Sequence, residues 1–462
     1  MAILGAGPGG YVAAIRAAQL GARVTVVENQ ALGGVCLNWG CIPSKALLSV
    51  VELGEKAKKA GEMGLTLNGP VGYDLARMVA RKNKVVESLV KGVATLFKTW
   101  GIEHLDGTGE LVDERLLRVT KKDGSEARVQ ADAIILATGS SWPNLPLFPI
   151  DGQRIITSKE ALDLTEVPAS LLIIGAGVEG CEFASLYGGL GTQVTMVELL
   201  PRLLPLEDEE VAMLMERELK KRGVVLHTGT TVERVERRDG RMQASLKNGA
   251  AIEAEKILVS VGRGMNSKGI GLEKAGVKIG GRGEILVNER LETNVPGIYA
   301  IGDVTGKALL AHVASTQGKV AAANILGRAQ AINYEVVPAG IFTLPEIGRV
   351  GLTEQQARER GATEVKVGRF RQVALGKAHA VGDTTGLYKI VADAKSGKVL
   401  GVHIVGAHAA DLVHEAALAM HLGATVSALA DMIHAHPTLA EGLMEAAEDV
   451  DGLAIHLARK RA

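Results

Sequence analysis

One stretch of this chain occurs twice, and the repetition constrains the fold more than any other feature. Ile3–Glu28 opens on a short apolar run and passes through Gly5-x-Gly7-x-x-Gly10. It continues as an alanine-rich segment to Leu20 and returns to an apolar run, Val24–Val27, that ends on Glu28. Leu171–Glu198 keeps the same order: Leu171–Ile174, then Gly175-x-Gly177-x-x-Gly180, a helical stretch through Leu190, and Val194–Val197 ending on Glu198. In a strand–turn–helix–strand unit each glycine has its own task. The first permits the turn, the second lets backbone approach a pyrophosphate, and the third lets helix and strand pack closely. The helix N-terminus then offers amide donors and a positive dipole end to phosphates. The terminal acid is placed to accept hydrogen bonds from a ribose diol. One fingerprint can be a chance glycine-rich turn, but two, each with its acid in place, predict an α/β chain with two Rossmann-like dinucleotide-binding domains.

The rest of the chain fits around that repeat. At 462 residues it is too long for one core, and two to four domains are expected. Lysine plus arginine equals aspartate plus glutamate at 52 each, so no global field favours nucleic acid or an anionic membrane. No stretch is read as approaching the ~20 apolar residues of a bilayer span. The N-terminus opens on Ala2-Ile3-Leu4-Gly5 without a basic leader. The expectation is a cytoplasmic protein without nucleic-acid or membrane partners. Ala133–Gly139 reads as a buried strand ending in Thr138-Gly139, and Pro143, Pro146 and Pro149 mark a crossover. Ile257–Val261 stops at Gly262-Arg263, and Thr293–Asp303 delivers Asp303 at the end of a short strand. From about Tyr334 the texture changes. Alternating segments (Gly386–Ala392, Val399–Val405) suggest an antiparallel sheet, followed by helices from Ala409 and near Leu439, which make a separate α+β domain.

Three cysteines in so long a chain exclude a disulfide scaffold. Two of them, Cys36 and Cys41, lie within Gly33–Lys45, where Ile42-Pro43-Ser44-Lys45 reads as a first helical turn with proline tolerated near its start. A helix N-terminus stabilises a thiolate and can bring a cysteine pKa from ~8.5 to ~3.5–7.5. On this segment alone, a redox pair, half of a metal site and two buried thiols all remain open. A zinc site wants about four ligands, and the third cysteine, Cys181, sits inside the second fingerprint helix. His434-Ala435-His436 precedes Pro437-Thr438-Leu439-Ala440-Glu441. It reads as a metal-binding histidine pair, as two incidental histidines at a helix entry, or as a histidine base with a carboxylate behind it.

Taken in order along the chain, Gly5–Gly10, Gly33–Lys45, Ala137–Gly139, Gly175–Glu182, Thr293–Asp303 and His434–Glu441 resemble the FAD-dependent pyridine nucleotide–disulfide oxidoreductases, and within them the dihydrolipoamide-oxidising members. The resemblance implies an FAD domain (1–147), an NAD domain (148–270), a central segment completing the FAD domain (271–335) and a C-terminal dimerisation domain (336–462). It implies that the first fingerprint, with Gly34, Thr138 and Gly139, holds FAD, with Glu28 on the adenosine ribose and Asp303 on the ribityl–phosphate region. Cys41 would be the flavin-proximal, charge-transfer thiol and Cys36 the interchange thiol. Lys45 would approach the flavin and pair with Glu182. His436, oriented by Glu441, would be the base, serving the other subunit's site in a homodimer. The second fingerprint, with Gly262, would bind NAD, since Glu198 repels a 2′-phosphate; Arg202 nearby does not reverse this. No metal is implied. The implied substrate is dihydrolipoamide, carried as a lipoyl group on the acyltransferase of a 2-oxo acid dehydrogenase complex or on the glycine cleavage carrier protein. A reductase for another small disulfide and a flavoprotein kept for complex assembly are the alternatives.

Several positions depart from the family pattern. The first strand starts short. Gly264-Met265 replaces a commoner Arg-Pro, and Glu179 stands where an apolar residue is frequent, beside the nicotinamide pocket, either tuning cofactor affinity or facing solvent. Arg371-Gln372-Val373 and Lys377 also differ. His403, His408, His414 and His421 read as interface or surface residues.

Overall fold

A computed structural model describes residues 1–238, 240–361 and 364–458; the last four positions of the 336–462 segment lie outside the described residues. Three larger sheets organise it. In the first, Ala2–Leu4 lies between Ile134–Leu136 and Thr25–Glu28, all parallel, with Ile298–Ala300 outside Ile134–Leu136. Glu103–Leu111 extends the parallel edge and then pairs antiparallel with a hairpin partner, Leu116–Lys121, followed by Glu126–Gln130. Ala2–Leu4, Ile134–Leu136 and Ile298–Ala300 are buried at every position and read as continuous apolar runs, as strands covered on both faces should. The strand Ile298–Ala300 brings chain from beyond the second repeat back into the first sheet and delivers Asp303.

The second sheet is wholly parallel, in the order Val225–His227, Gln193–Val197, Ser170–Ile174, Lys256–Val259, Ile155–Ile156. A small antiparallel sheet, Val232–Arg238, Arg241–Leu246 and Ala251–Ala254, packs on it. The third sheet is antiparallel throughout: Ala339–Ile341, Ile347–Gly351, Val399–Val405, Leu387–Asp393, Val365–Arg371.

In the third sheet the alternation seen in sequence does not mean one wet face. Leu387–Asp393 is buried at every position but the last. Tyr388 and Ile390 face a core shared with helices Ala409–His421 and Glu441–Asp449. Leu387 and Val405, on the other face, join the core that holds the second dinucleotide unit. Lys389 and His403 are therefore buried. This corrects the reading of His403 as a surface or interface residue: its Nε2 pairs with the Leu352 carbonyl at 2.9 Å, and burial pushes its pKa down.

The helices after the first fingerprint correct a second expectation. Gly34–Trp39 and Cys41–Lys58 form a run that is long enough to cross a membrane and holds an 18-residue window apolar enough to do so, with mean hydropathy 1.3. Lysines and glutamates punctuate the run, so no unbroken apolar stretch stands out in the sequence. The run breaks at Gly40, and Leu47, Leu48 and Val51 are buried in the core beneath the second fingerprint. There Gly189 lets two helices approach: a Cβ at that position would stand 2.2 Å from the Val51 side chain. Lys45 lies six residues before Val51 and Glu182 seven before Gly189, about two turns back on each helix. The crossing thereby sets these two residues face to face.

Candidate active site

The two fingerprints have the same internal geometry. Gly5 and Gly175 take φ of +103° and +99°, where a side chain is strained. A Cβ at Gly10 would fall 1.9 Å from the Gly5 carbonyl oxygen, and one at Gly180 would fall 2.0 Å from that of Gly175. The third glycine is thus required by backbone packing against the first. A Cβ at Gly177 would meet open space and one at Gly7 only the Gly34 Cα, at 3.9 Å, and each glycine stands at the N-cap of a helix, Pro8–Gln19 and Val178–Leu190. A cradle left empty by two glycines at helix N-termini fits the phosphates of a dinucleotide. The acids behave alike as well. Glu28 accepts the Ala6 and Gln30 amides, both at 2.8 Å, and Glu198 accepts those of Ala176 (2.7 Å) and Leu200 (2.9 Å). Each carboxylate ties its own glycine turn and keeps lone pairs for a further donor.

A single cleft of about 1360 Å³ joins the two units. Gly5, Gly7, Glu28 and Gly34 line it on the first-sheet side, with Thr138, Gly139 and Asp303 beside them. Gly177, Glu182 and Gly262 line the other side, and Cys36, Cys41 and Lys45 stand between. Gly10, Gly175, Gly180 and Glu198 are not among the residues that line it. Asn266, which directly follows the Gly264-Met265 departure and keeps the family's residue, clamps the Thr138-Gly139 turn. Asn266 donates to the Thr138 carbonyl (2.9 Å) and from its amide to Gly139 (3.0 Å), and the Thr138 hydroxyl returns a bond to Asn266 at 2.7 Å. Asp303 accepts from Ser140 Oγ at 2.5 Å, and burial pushes its carboxyl pKa up despite Ser140 and Arg263.

Cys41 is the first residue of helix Cys41–Lys58, and Lys45 follows one turn later on the same face. Lys45 Nζ meets both oxygens of Glu182, at 2.9 and 2.7 Å, and stands 4.6 Å from the centroid of the Phe342 ring. Phe342 also donates its amide to Glu182 at 2.9 Å. Phe342 comes from the third sheet's segment, and nothing local in the sequence points to it. Ser140 had a signal, since it directly follows Thr138-Gly139. Both cysteines are free thiols. A hydrogen bond from Cys36, aided by the Lys45 cation, outweighs burial and brings Cys41 down to about 7, whereas donating that bond and being buried push Cys36 up.

In the dithiol form the Cys41 thiolate should therefore be present above about pH 7 and lost on acidification below it, against an ordinary thiol value of 9.0. Ultraviolet thiolate absorbance, with the flavin contribution subtracted, checks this. The step should vanish in Cys41→Ser and move to higher pH in Lys45→Met. An unchanged midpoint in Lys45→Met would remove the lysine from the account.

His436 and Glu441 do not line the cleft of their own chain. Glu441 heads helix Glu441–Asp449. His436 Nδ1 pairs with Glu441 Oε1 at 2.8 Å, while Glu441 Oε2 accepts the Thr438 amide at 2.8 Å. Burial alone would raise the Glu441 pKa, but Thr438 and His436 bring it below the usual carboxylate value. His434 turns to a different carboxylate, Glu415, at 3.0 Å, so the two histidines do not converge.

These features have counterparts across known proteins. Residues 1–318 match the model for pyridine nucleotide-disulphide oxidoreductases, and residues 337–447 match that family's dimerisation domain. The chain is 42% identical over 460 residues to dihydrolipoyl dehydrogenase of Bacillus subtilis, covering 99% of each chain. It is 44% identical to the Thermus scotoductus enzyme of the same name, covering 98% of each. The structure of LpdA from Mycobacterium tuberculosis superposes with a TM-score of 0.91 at 30% identity, covering 97% of this chain and 99% of that one. The flavoprotein disulfide reductase RclA of Escherichia coli gives 0.87 at 28% identity, covering 97% and 99%. With two glycine cradles, a dithiol between them and a dimerisation domain behind, the chain belongs to the pyridine nucleotide–disulphide oxidoreductase family.

Proposed function

We propose that the chain is a dihydrolipoyl dehydrogenase, oxidising dihydrolipoyl groups to lipoyl with NAD⁺ as the final acceptor. Family membership implies FAD and NAD(P) binding, and the observation that carries the finer reading is the position of Cys36 and Cys41 between two dinucleotide cradles in one cleft. When bound, FAD supplies the means to take an electron pair from the dithiol and pass it on as hydride. The protein's own residues do the rest. A substrate thiol loses its proton to His436 Nε2, the ring atom left open once Nδ1 is committed to Glu441. The resulting thiolate attacks Cys36 Sγ, the Cys36–Cys41 bond breaks, and Cys41 leaves as the thiolate that the Lys45 cation stabilises; the Cys36 hydrogen bond adds to this only once Cys36 is a thiol again. The second substrate thiol then displaces Cys36, closing the lipoyl disulfide and leaving the protein as a dithiol.

Three further points support the reading. His436 does not line its own chain's cleft and is largely exposed, as a base serving a second subunit would be. Leu418, Leu422, Ile433 and Ile455 are exposed apolar residues of the C-terminal domain, surface that a homodimer would cover. Arg202 is turned away from a 2′-phosphate role, since its Nη2 donates to the carbonyls of Pro205 and Glu207 at 3.2 and 3.0 Å. Glu198 therefore governs the ribose, and NAD is favoured over NADP. The carrier of the lipoyl group would be the acyltransferase of a 2-oxo acid dehydrogenase complex or the glycine cleavage carrier protein.

Anaerobic addition of dihydrolipoamide to the FAD-loaded protein should raise long-wavelength absorbance, and NAD⁺ added next should be converted to NADH. Silence with dihydrolipoamide together with turnover of glutathione disulfide and NADPH would overturn the assignment.

A further inference from the structure

We infer that Glu179 sets the balance between the two redox forms of the nicotinamide cofactor, by holding a negative charge beside a ring that is cationic when oxidised and neutral when reduced. The inference rests on the nicotinamide reading above and deepens it. Glu179 is the second residue of helix Val178–Leu190, two positions after Gly177, and it lines the cleft half-buried. A dinucleotide whose pyrophosphate rests on this helix N-terminus must carry its nicotinamide toward Cys41 and Lys45, because hydride transfer requires ring-to-ring contact. Along that path the helix presents Val178, Glu179 and Glu182 to the cleft.

The two carboxylates are treated differently. Glu182 has its charge matched by Lys45 through two contacts. Glu179 is oriented by a neutral group: Ser260 Oγ donates to its Oε2 at 2.9 Å. Arg263 is close enough to feel Glu179, but its hydrogen bonds go to Ser140, from Nε to the hydroxyl at 2.8 Å and from Nη2 to the carbonyl at 2.7 Å. Its plane lies over the Trp142 ring, 4.7 Å from the centroid. Among the described residues, Glu179 is thus positioned without a direct cationic partner. The charge on the nicotinamide changes by one unit on reduction, and a carboxylate lining the same pocket stabilises only the cationic form. Screening by the open cleft and by Arg263 leaves an expected difference of about tenfold between the two affinities. The consequence is selective retention of NAD⁺ and easier release of NADH, in the direction of dithiol oxidation.

The test is equilibrium calorimetry on the oxidised, FAD-loaded dimer. The ligands are NAD⁺ and the tetrahydronicotinamide analogue, whose neutral ring cannot give or take hydride. In Glu179→Gln the ratio of the two dissociation constants should move about tenfold toward the neutral ring, mainly through weaker NAD⁺ binding. Glu179→Met should shift it equally, and Glu179→Asp should stay near wild type. A ratio in Gln and Met variants indistinguishable from wild type would overturn the inference while leaving the NAD assignment intact. A shift in Met but not in Gln would trace the effect to shape and also overturn it. Failure of the wild-type protein to bind NAD⁺, with tight binding of NADP⁺, would remove the underlying reading and this inference together.

Discussion

His436→Ala should slow dithiol oxidation by about 10²–10⁴-fold, the usual contribution of a positioned base, while FAD stays bound. The imidazole is held by one carboxylate, Glu441, itself anchored by the Thr438 amide, and none of these three residues lines the cleft containing Cys36. The loss should therefore fall on chemistry and not on cofactor retention, and stopped-flow reduction by dihydrolipoamide alongside the flavin-to-protein ratio separates the two. Mixed dimers carry the test further. A Cys36→Ser protomer paired with a His436→Ala protomer keeps one complete site if each site draws its base from the other subunit, and none if it does not. Under random pairing, mixing the two inactive proteins should restore about a quarter of the wild-type rate. No recovery would place the base within the same chain and defeat the shared-site account.

Lys389→Met should destabilise the protein by about 3–5 kcal/mol, the cost of breaking a buried ion cluster from one side. Lys389 is 2% exposed, and its ammonium meets Asp208 (2.9 Å), Glu210 (2.8 Å) and Glu354 (2.8 Å). Arg369 braces Glu210 and Glu354 from outside. The cluster joins the helix Glu209–Lys221 to the third sheet, so removing the lysine leaves carboxylates facing one another with their desolvation uncompensated. Thermal unfolding at a fixed scan rate measures the loss, and Lys389→Met combined with Asp208→Asn should recover part of it. A melting temperature within a degree or so of wild type for the single variant would show the cluster to be energetically idle. The pH dependence has a definite sign. Burial raises the Glu354 pKa, but Lys389 and its arginine neighbours outweigh it and hold the group down at about 2. Its contribution is complete above the ordinary value of 4.5 and is lost as the pH falls toward 2.

What could be read in advance was local. Each fingerprint lies within a few residues of sequence, and its glycine spacing encodes a backbone contact (Gly10 on Gly5, Gly180 on Gly175) independent of the rest of the fold. Cys41 and Lys45 are one helical turn apart, and His436 and Glu441 are five residues apart, so each pair is visible as spacing. Lys389 could not be read this way. Its partners come from residue 208, residue 210 and residue 354, and a lysine in an alternating strand normally points to water. It is buried because a helix of the second unit covers that face of the sheet, which no pattern within Leu387–Asp393 reveals. His403 is buried for the same reason, and Phe342 reaches Lys45 only because the third sheet folds back over the helix crossing. Glu182 stood between these cases: its position in the fingerprint helix was evident, but its pairing with Lys45 came through the family resemblance and depends physically on Gly189 admitting Val51.

The paired amides on Glu28 and Glu198 constrain anyone wishing to change the coenzyme this scaffold uses. On the function proposed above, the carboxylate that selects the ribose is also the bolt of its own turn, so replacing Glu198 with a neutral or basic residue to admit a phosphate would remove the acceptor for two backbone N–H groups. Redesign of coenzyme preference would have to supply another oxygen for Ala176 and Leu200 before the new specificity could be judged. Otherwise a weakened cradle would be mistaken for a failed recognition site.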